Sequence, residues 1–526
     1  MKYIFFFVSC ILFQINSSAQ NNDAAKYATM VNAAGLKTHL TVIADDKMEG
    51  RETGTNGQRM AAEYIAAQFK SIGLTQPEKI NNYQQLFPLK KDSVISATLS
   101  INNKELIFGN DFLITLSANE TNNFKSDKIV FIGYGIDDSQ YSDYNTIDVK
   151  GKVVCFFSGE PKINGNYFLS ADGKISEWSK NGCSKKLEAA TAKGALGALV
   201  IDVLQKKFSE RTIKRNKKTN VYYPRDAHDT TLINYADISH ELGFQIMGSD
   251  FDTLLNKAKS NSFLNEAAKE IPTPVSYRYD KSSETINACN VLGIVEGTDK
   301  KNEFVFLTAH YDHLGIQDGK IYNGADDDGS GTVTVLQMAT AFAKAKKDGK
   351  GPRRTVVFMT VSGEEKGLWG SEYYTDNPIF PLEKTSVDLN TDMIGRIDTE
   401  RKTADTLNYV YVVGHDKISS ELPAINEGAN NENTKLVLDY KFDDPNDPNR
   451  IYYRSDHYNF ARKGVPVLFF YDGMLQADYH KTTDDIEKIN WPLFEKRAQM
   501  IFYTAWEIAN RDKMLVRDKP LPEGGR

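Results

Sequence analysis

Cysteine is scarce, with four in 526 residues. No two stand as C-x-x-C, so a thiolate metal site is not expected, and so few in so long a chain make no disulfide framework. Without Cys10, which falls in the apolar leader described next, Cys155, Cys183 and Cys289 remain. One pair could close in an oxidising compartment, and the sequence does not choose it. An excess of basic charge is also lacking. The net charge is −6, which offers no basic face for a nucleic acid and favours solubility slightly. Long apolar runs are missing beyond Met1–Ala19. That segment has Lys2, an apolar middle from Tyr3 to Phe13 and small residues at Ser17-Ser18-Ala19. It is too short to span a bilayer and is expected to be a secretory signal peptide, which places the mature chain in the periplasm or outside the cell. A lipidated Cys10 is the weaker alternative. No membrane span is expected after the leader. No internal repeat or low-complexity tract occurs.

What is present is concentrated between Phe304 and Asp392. The run E-F-V-F-L-T-A-H-Y-D-H is followed by N-G-A-D-D-D-G-S-G-T, then R-T-V-V-F-M-T-V-S-G-E-E, then D-L-N-T-D-M. Phe304–Ala309 and Thr355–Val361 are short, continuous apolar runs rich in β-branched and aromatic residues, which predicts buried strands. Thr332–Ala345 carries Val335, Leu336, Ala339 and Phe342 on one face, which predicts a helix. Each block has one form: an apolar run stops, and a histidine or carboxylate stands at its end. In open α/β sheets, sites form at the carboxyl ends of strands.

The rest of the chain frames this stretch. Ala24–Leu74 has helical spacing closed by Gly73 and interrupted by the polar loop Met48–Thr55, read equally as a plain connection or as cleft lining. Phe87–Leu116 alternates and predicts short antiparallel strands. Strands are also predicted at Lys128–Gly135, Gly151–Phe157 and Ala195–Val203, with a helix at Leu187–Gly194. The span 128–274 is therefore expected to be a β-rich unit of its own, and its His228 and His240 are read as exposed loop histidines. Beyond Asp392 come a strand at Leu407–Gly414, an acidic loop at Phe442–Arg450 read as solvated or cleft-lining, a strand at Val465–Tyr471 and a closing helix at Trp491–Ala509. The tail Arg511–Arg526 is expected to be mobile.

The residue types suit a metal centre. His310 is an imidazole donor, and the carboxylate of Asp312 is expected to accept its other ring proton and fix the tautomer. Asp326, Asp327 and Asp328 would repel one another unless cations neutralised them. Asp327 could bridge two metals. Of Glu364 and Glu365, one could ligate while the other faced a reacting water. With Asp392 and His480 this is a mixed oxygen and nitrogen set that suits zinc. Two zinc ions could share Asp327 and a water, lower the pKa of that water and polarise a carbonyl, with Glu364 moving the proton. Each block alone has a plainer reading, such as a packed histidine, a helix-capping aspartate or a solvated Glu-Glu pair. Their order and their places at element boundaries favour the centre.

H-Y-D-H-L-G, Y-N-G-A-D-D-D-G-S-G, S-G-E-E-K-G-L-W-G-S, N-T-D-M, S-D-H and D-Y-H together resemble the M28 zinc metallopeptidases of the aminopeptidase Y/S-like group. The resemblance is dense from Asn290 to Asp485 and weaker from Asp45 to Leu74. It implies a three-layer α/β zinc-exopeptidase fold, with a central mixed, mostly parallel sheet flanked by helices and an inserted β-rich domain. The implied division is 1–19 as signal peptide, 20–127 with 275–526 as catalytic domain, and 128–274 as a protease-associated-like insertion. It implies two zinc ions, one on His310 and Asp392, one on Glu365 and His480, bridged by Asp327. Glu364 is implied as general base and Tyr479 as a hydroxyl that polarises the carbonyl. His313 and His457 are not expected to be ligands, though His457 could border the substrate. Asp326 is a candidate anchor for a substrate amine. The implied reaction is removal of N-terminal residues from peptides. Alternatives on the same fold are a carboxypeptidase, a dipeptidase or a glutaminyl-cyclase-like enzyme. A non-catalytic peptide-binding protein would need a lost ligand or base, and none is lost.

Overall fold

The computed structural model describes residues 23–180, 182–217, 219–224 and 232–521. The expected signal peptide and His228 lie outside the described residues. The chain divides into two compact units: one runs up to Pro88 and resumes at Asn287, and the other is Leu89–Ile286. The inserted unit is wider than the span 128–274 read from the sequence, because its boundaries fall inside two long strands, Gln84–Ile101 and Val275–Val295. The alternation in Phe87–Leu116 arises largely from the first of these, an 18-residue strand, rather than from several short ones.

In the larger unit a mixed sheet forms the middle layer. Lys300–His310 lies between Arg354–Val361 and Thr385–Thr391, parallel to both, with Val305 opposite Val356 and Phe306 opposite Asp388. Thr385–Thr391 continues parallel to Val467–Tyr471. The outer pairings Val291–Val295 with Val356–Thr360, and Tyr411–Val413 with Phe469–Tyr471, are antiparallel. Every residue of Arg354–Val361, Thr385–Thr391 and Val467–Tyr471 is buried. A sheet covered on both faces needs apolar side chains on both, which is why Thr355–Val361 and Val467–Tyr471 read as largely apolar runs, whereas Thr385–Thr391 buries polar side chains such as Asp388 and Asn390 among its apolar ones.

Side-chain alternation assigns the two covering layers. Phe306 points to Tyr374 and Phe460, whose rings lie 5.5 and 5.3 Å away. These belong to the short helices Trp369–Asp376 and His457–Ala461. Phe358 points the other way, to Phe342 at 5.9 Å. Phe342 in turn meets Phe502 and Trp506 at 5.0 and 5.5 Å. That face carries the helices Gly331–Lys347 and Trp491–Asn510. Burying each such phenylalanine contributes roughly 1.5–3 kcal/mol, so the stack of aromatic pairs fixes the helices against the strands that deliver the site.

The tail is not loose as far as it is described. Leu515 is buried, the Val516 N–H donates to Glu421 at 3.0 Å, and Arg517 Nη2 donates to the carbonyls of Leu382 and Thr385 at 2.6 and 2.7 Å. One apolar anchor and a guanidinium on two carbonyls hold a segment whose composition alone suggested mobility.

The inserted unit has its own sheet. Ile129–Phe131, Val153–Phe157, Gly197–Ile201 and Tyr235–Ile238 are parallel neighbours in that order, with antiparallel edges at Lys269–Ile271 and Phe112–Leu113. His240 is buried here at the start of a helix, its Nε2 2.6 Å from the carbonyl oxygen of Asp202, and is not the exposed loop histidine expected. This unit also holds a cavity of about 1110 Å³, and none of the candidate metal ligands lines it. Cys155, Cys183 and Cys289 are all free thiols.

Candidate metal centre

Four parallel strands end on one rim, and each delivers a functional group there. His310 is the last residue of Lys300–His310. Asp392 follows Thr385–Thr391 directly. Glu364 and Glu365 follow Arg354–Val361 after a Ser-Gly turn, and His480 stands in the loop beyond Val467–Tyr471.

Asp327 lies at the middle. Its Oδ1 is 3.2 Å from His310 Nε2, and its Oδ2 is 3.2 Å from His480 Nε2. Asp392 Oδ1 is 3.5 Å from His310 Nε2. Glu365 Oε2 is 2.9 Å from His480 Nε2, and its Oε1 is 2.7 Å from His313 Nδ1. Two triads able to hold a metal result, His310–Asp327–Asp392 and His313–Asp327–Glu365, sharing Asp327. His313, read from the sequence as a non-ligand, stands in the second. The strand ends at His310, so the following residues lose the alternation that would turn His313 away.

The donor chemistry fits paired cations. Buried Nε2 of His310, both ring nitrogens of His313, Oδ2 of Asp327 and Oε1 of Glu365 have no hydrogen-bond partner. Leaving such groups unpaired is costly unless something coordinates them. Burial alone would raise the Asp327 carboxyl, yet His310, His313 and His480 hold it well below the usual range. Burial would lower His480, but Asp327 and Glu365 push it up to about 10. A buried carboxylate that stays ionised and an imidazole drawn toward positive charge mark a site whose field favours cations. A mixed imidazole and carboxylate set with a shared carboxylate suits a binuclear zinc site.

The three consecutive aspartates do not crowd one ion. Only Asp327 faces the imidazoles. Asp328 turns back, its Oδ1 accepting the N–H of Gly331 at 2.7 Å and of Met393 at 3.1 Å, its Oδ2 that of His310 at 3.2 Å. Asp326 is buried, accepts the N–H of Gly395 at 2.8 Å, and is raised well above the carboxylate range by burial, Asp472 and Asp484. It is enclosed and cannot meet a substrate amine, which corrects that expectation.

Asp312 also departs from its expected part. His310 Nδ1 lies 3.0 Å from the Asp312 carbonyl oxygen and 3.7 Å from its carboxylate. The carbonyl fixes the ring, and the carboxylate instead accepts from Thr53 Oγ1 at 2.8 Å and from the Glu364 N–H at 3.2 Å. The polar loop Met48–Thr55 is thus a brace rather than a plain connection. Arg51 is fully buried and donates to the carbonyls of Ile43, Tyr311, Asn323 and Gly324 at 2.6–3.0 Å. It ties the loop to two of the segments that carry candidate metal ligands, those bearing His310 and Asp327. Asp484 does the same from the other side: its carboxylate accepts the N–H groups of Asp326 and Asp327, each at 3.1 Å. Neither role carries a sequence signal, since both bond to backbone.

Glu364 Oε2 is 3.9 Å from His310 Nε2, and burial with Asp392 and Glu365 nearby raises its carboxyl well above the usual range despite His310. Tyr479 stacks on His480 with centroids 3.8 Å apart, and its Oη accepts from Arg454 Nη2 at 2.8 Å. His457 is buried between Phe469 and Tyr452 in the core, and is neither ligand nor cleft wall. The acidic loop Phe442–Arg450 lines a separate cavity of about 620 Å³ with Lys417 and Tyr452. In it Asp443 is bound to Lys417 at 2.9 Å and to His415.

A three-layer α/β sandwich carries two carboxylate–imidazole triads on the rim of its parallel strands, sharing one aspartate, and this arrangement suits a binuclear metal site. Residues 290–505 match the model of peptidase family M28. A probable zinc metalloprotease of Pyrenophora teres f. teres is 31% identical over 172 residues, 31% of each chain. The aminopeptidase YwaD of Bacillus subtilis is 25% identical over 243 residues, 43% of this chain and 45% of that one. The chain thus spans about a third to just over half the length of the first curated relatives it matches. Among solved structures, an aminopeptidase from Aneurinibacillus sp. strain AM-1 superposes with a TM-score of 0.56 at 16% identity, over 95% of this chain and 100% of that one. That likeness is one of fold. No helix among the described residues is long and apolar enough to cross a membrane.

Proposed function

We propose that this protein is an exported di-zinc aminopeptidase that removes N-terminal residues from peptides. The observation that carries the reading is the pair of triads sharing Asp327, with Glu364 beside them and outside both. His310 and Asp392 would hold one zinc, Glu365 and His480 the other with His313 beside them, and Asp327 both. When bound, the pair supplies a hydroxide at neutral pH and Lewis acidity toward the scissile carbonyl.

The side chains divide the remaining work. Glu364 is a carboxylate with a raised affinity for a proton, suited to take one from the attacking water and return it to the leaving amine. Tyr479 accepts its hydrogen bond from Arg454, so its own hydroxyl proton is free to be donated to the carbonyl oxygen as charge develops there. Asp312 holds the Glu364 backbone and keeps the base in register with the ligands. The second triad supports the two-metal reading over a one-metal cyclase. The N-terminal apolar segment supports export, and the position of the inserted unit in the chain supports a protease-associated-like domain.

The test is hydrolysis of aminoacyl amides with free and with blocked amines, together with zinc counting on the wild type and on Glu364→Gln. The free amines should be strongly preferred. Glu364→Gln should keep its zinc and lose roughly 10²–10⁴ in kcat. Equal cleavage of blocked substrates would remove the exopeptidase reading, and a fully active Glu364→Gln would remove the base.

A further inference from the structure

Four buried tyrosine hydroxyls among the described residues have no hydrogen-bond partner: Tyr144, Tyr279, Tyr452 and Tyr471. Only Tyr471 lines the cleft that Glu364, Asp392 and Tyr479 also line. It is the last residue of its strand and is 3% exposed. Its ring is stacked on Phe469 at 5.6 Å and packed by Phe442 and Tyr411 at 5.6 and 6.4 Å. Core contacts rather than the metal ligands therefore set where its hydroxyl points. An unpaired buried hydroxyl costs about 1–3 kcal/mol, and at the wall of an active cleft a bound ligand can supply the missing partner.

The other polar groups of the cleft are already engaged: Ser455 Oγ accepts from Asn390 at 2.8 Å and Arg454 donates to Tyr479. In the proposed reaction the carboxylates, with the metals they would hold, would serve the amine and the scissile carbonyl, and Tyr479 would serve the oxyanion. What remains for Tyr471 is the side chain of the substrate's first residue. The cleft is small, with a cavity volume of about 30 Å³, and Met393, Ile451, Phe469 and Leu475 add apolar wall. It suits a short side chain with one polar atom near its tip.

We infer that Tyr471 is a specificity-determining residue, whose hydroxyl bonds a short polar side chain at the substrate's N-terminus and so favours threonine or serine over their apolar counterparts. The inference rests on the aminopeptidase reading above. It follows a general asymmetry: a site built to hydrogen-bond a substrate hydroxyl rejects the analogue lacking it far more strongly than an apolar pocket rejects an added hydroxyl.

Threonine and valine have the same shape, which isolates the hydroxyl. The experiment measures kcat/KM for threonyl and valyl aminomethylcoumarin amides on the zinc-loaded full-length mature protein, wild type and Tyr471→Phe, with zinc content and melting temperature recorded for both. The expected wild-type preference for threonine is about tenfold or more. In Tyr471→Phe it should fall to within about twofold, through loss on threonine and no loss on valine, with zinc content unchanged and the melting temperature raised because the unpaired hydroxyl is gone. A wild type that cuts valine as well as threonine overturns the inference, as does a variant that loses both substrates equally, because the hydroxyl would then serve the backbone. Alanyl amides, free and N-acetylated, run alongside. If neither is cut, or both equally, the aminopeptidase reading itself has failed rather than the assignment of Tyr471.

Discussion

Replacing Asp484 with alanine should release the bridging carboxylate without touching a metal ligand. Asp484 is fully buried, and its two oxygens accept the backbone N–H groups of Asp326 and Asp327 at 3.1 Å. Alanine leaves both donors unpaired in a site closed to water. At about 1–3 kcal/mol for each orphaned group, the loss is about 2–6 kcal/mol of stability. It also unfastens the segment that aims Asp327 at His310 and His480. Changes to groups that orient metal ligands commonly cost about 10–100-fold in affinity, and that range is expected for zinc. Asparagine keeps one acceptor oxygen, so Asp484→Asn should fall between wild type and Asp484→Ala in both measures. Urea unfolding gives the first quantity and competition with a chelating dye the second. A core control, Leu468→Ala, should lower stability by about 2–5 kcal/mol while leaving zinc affinity alone, which separates loosening of the centre from general weakening. Asp484→Ala with zinc affinity within twofold of wild type would refute the claim that this carboxylate positions the bridge.

Two further outcomes follow from buried groups around the site. Arg51→Ala removes a guanidinium bound to four carbonyl oxygens and should cost more than about 3 kcal/mol in urea unfolding. Arg51→Lys, which keeps the charge but not the fork, should recover less than half of that, and full recovery would show that the charge alone matters. His457 is buried, and burial lowers its pKa to about 3 against opposing pulls from the Tyr452 backbone and Asp443. Its folded-state value lies below the ordinary value of about 6.5, so between those limits the unfolded chain binds a proton that the folded chain does not. Stability should therefore fall as pH drops below about 6.5, by about 1.4 kcal/mol per unit, or about 2 kcal/mol at pH 5. The His457→Gln curve should lack that slope, and parallel curves for the two proteins would contradict it.

The strands and helices of the larger unit were legible because each is buried on a repeating pattern. A strand covered on both faces is largely apolar where its polar groups have no partner, as Thr355–Val361 is. A helix lying on a sheet must be apolar on one side, as Thr332–Ala345 is. Side chains with unusual chemistry at the ends of such runs could also be picked out, because a carboxylate or imidazole at a strand exit has no part in packing. Side chains that bond only to backbone left no such mark. Nothing in the composition near Arg51 or Asp484 says which carbonyl or N–H groups they meet, since those partners lie 260 and 157 residues away along the chain. The same holds for His313, whose direction depended on where its strand stopped, and for the tail, whose anchors are the side chains of Leu515 and Arg517 and one backbone N–H. Residue order alone could set the elements and most of the donor set. Which of three adjacent aspartates faces the imidazoles, which hydroxyl is left without a partner and which loop braces the rim were decided by contacts between distant segments, because a hydrogen bond is fixed by direction and distance, and only the folded chain supplies both.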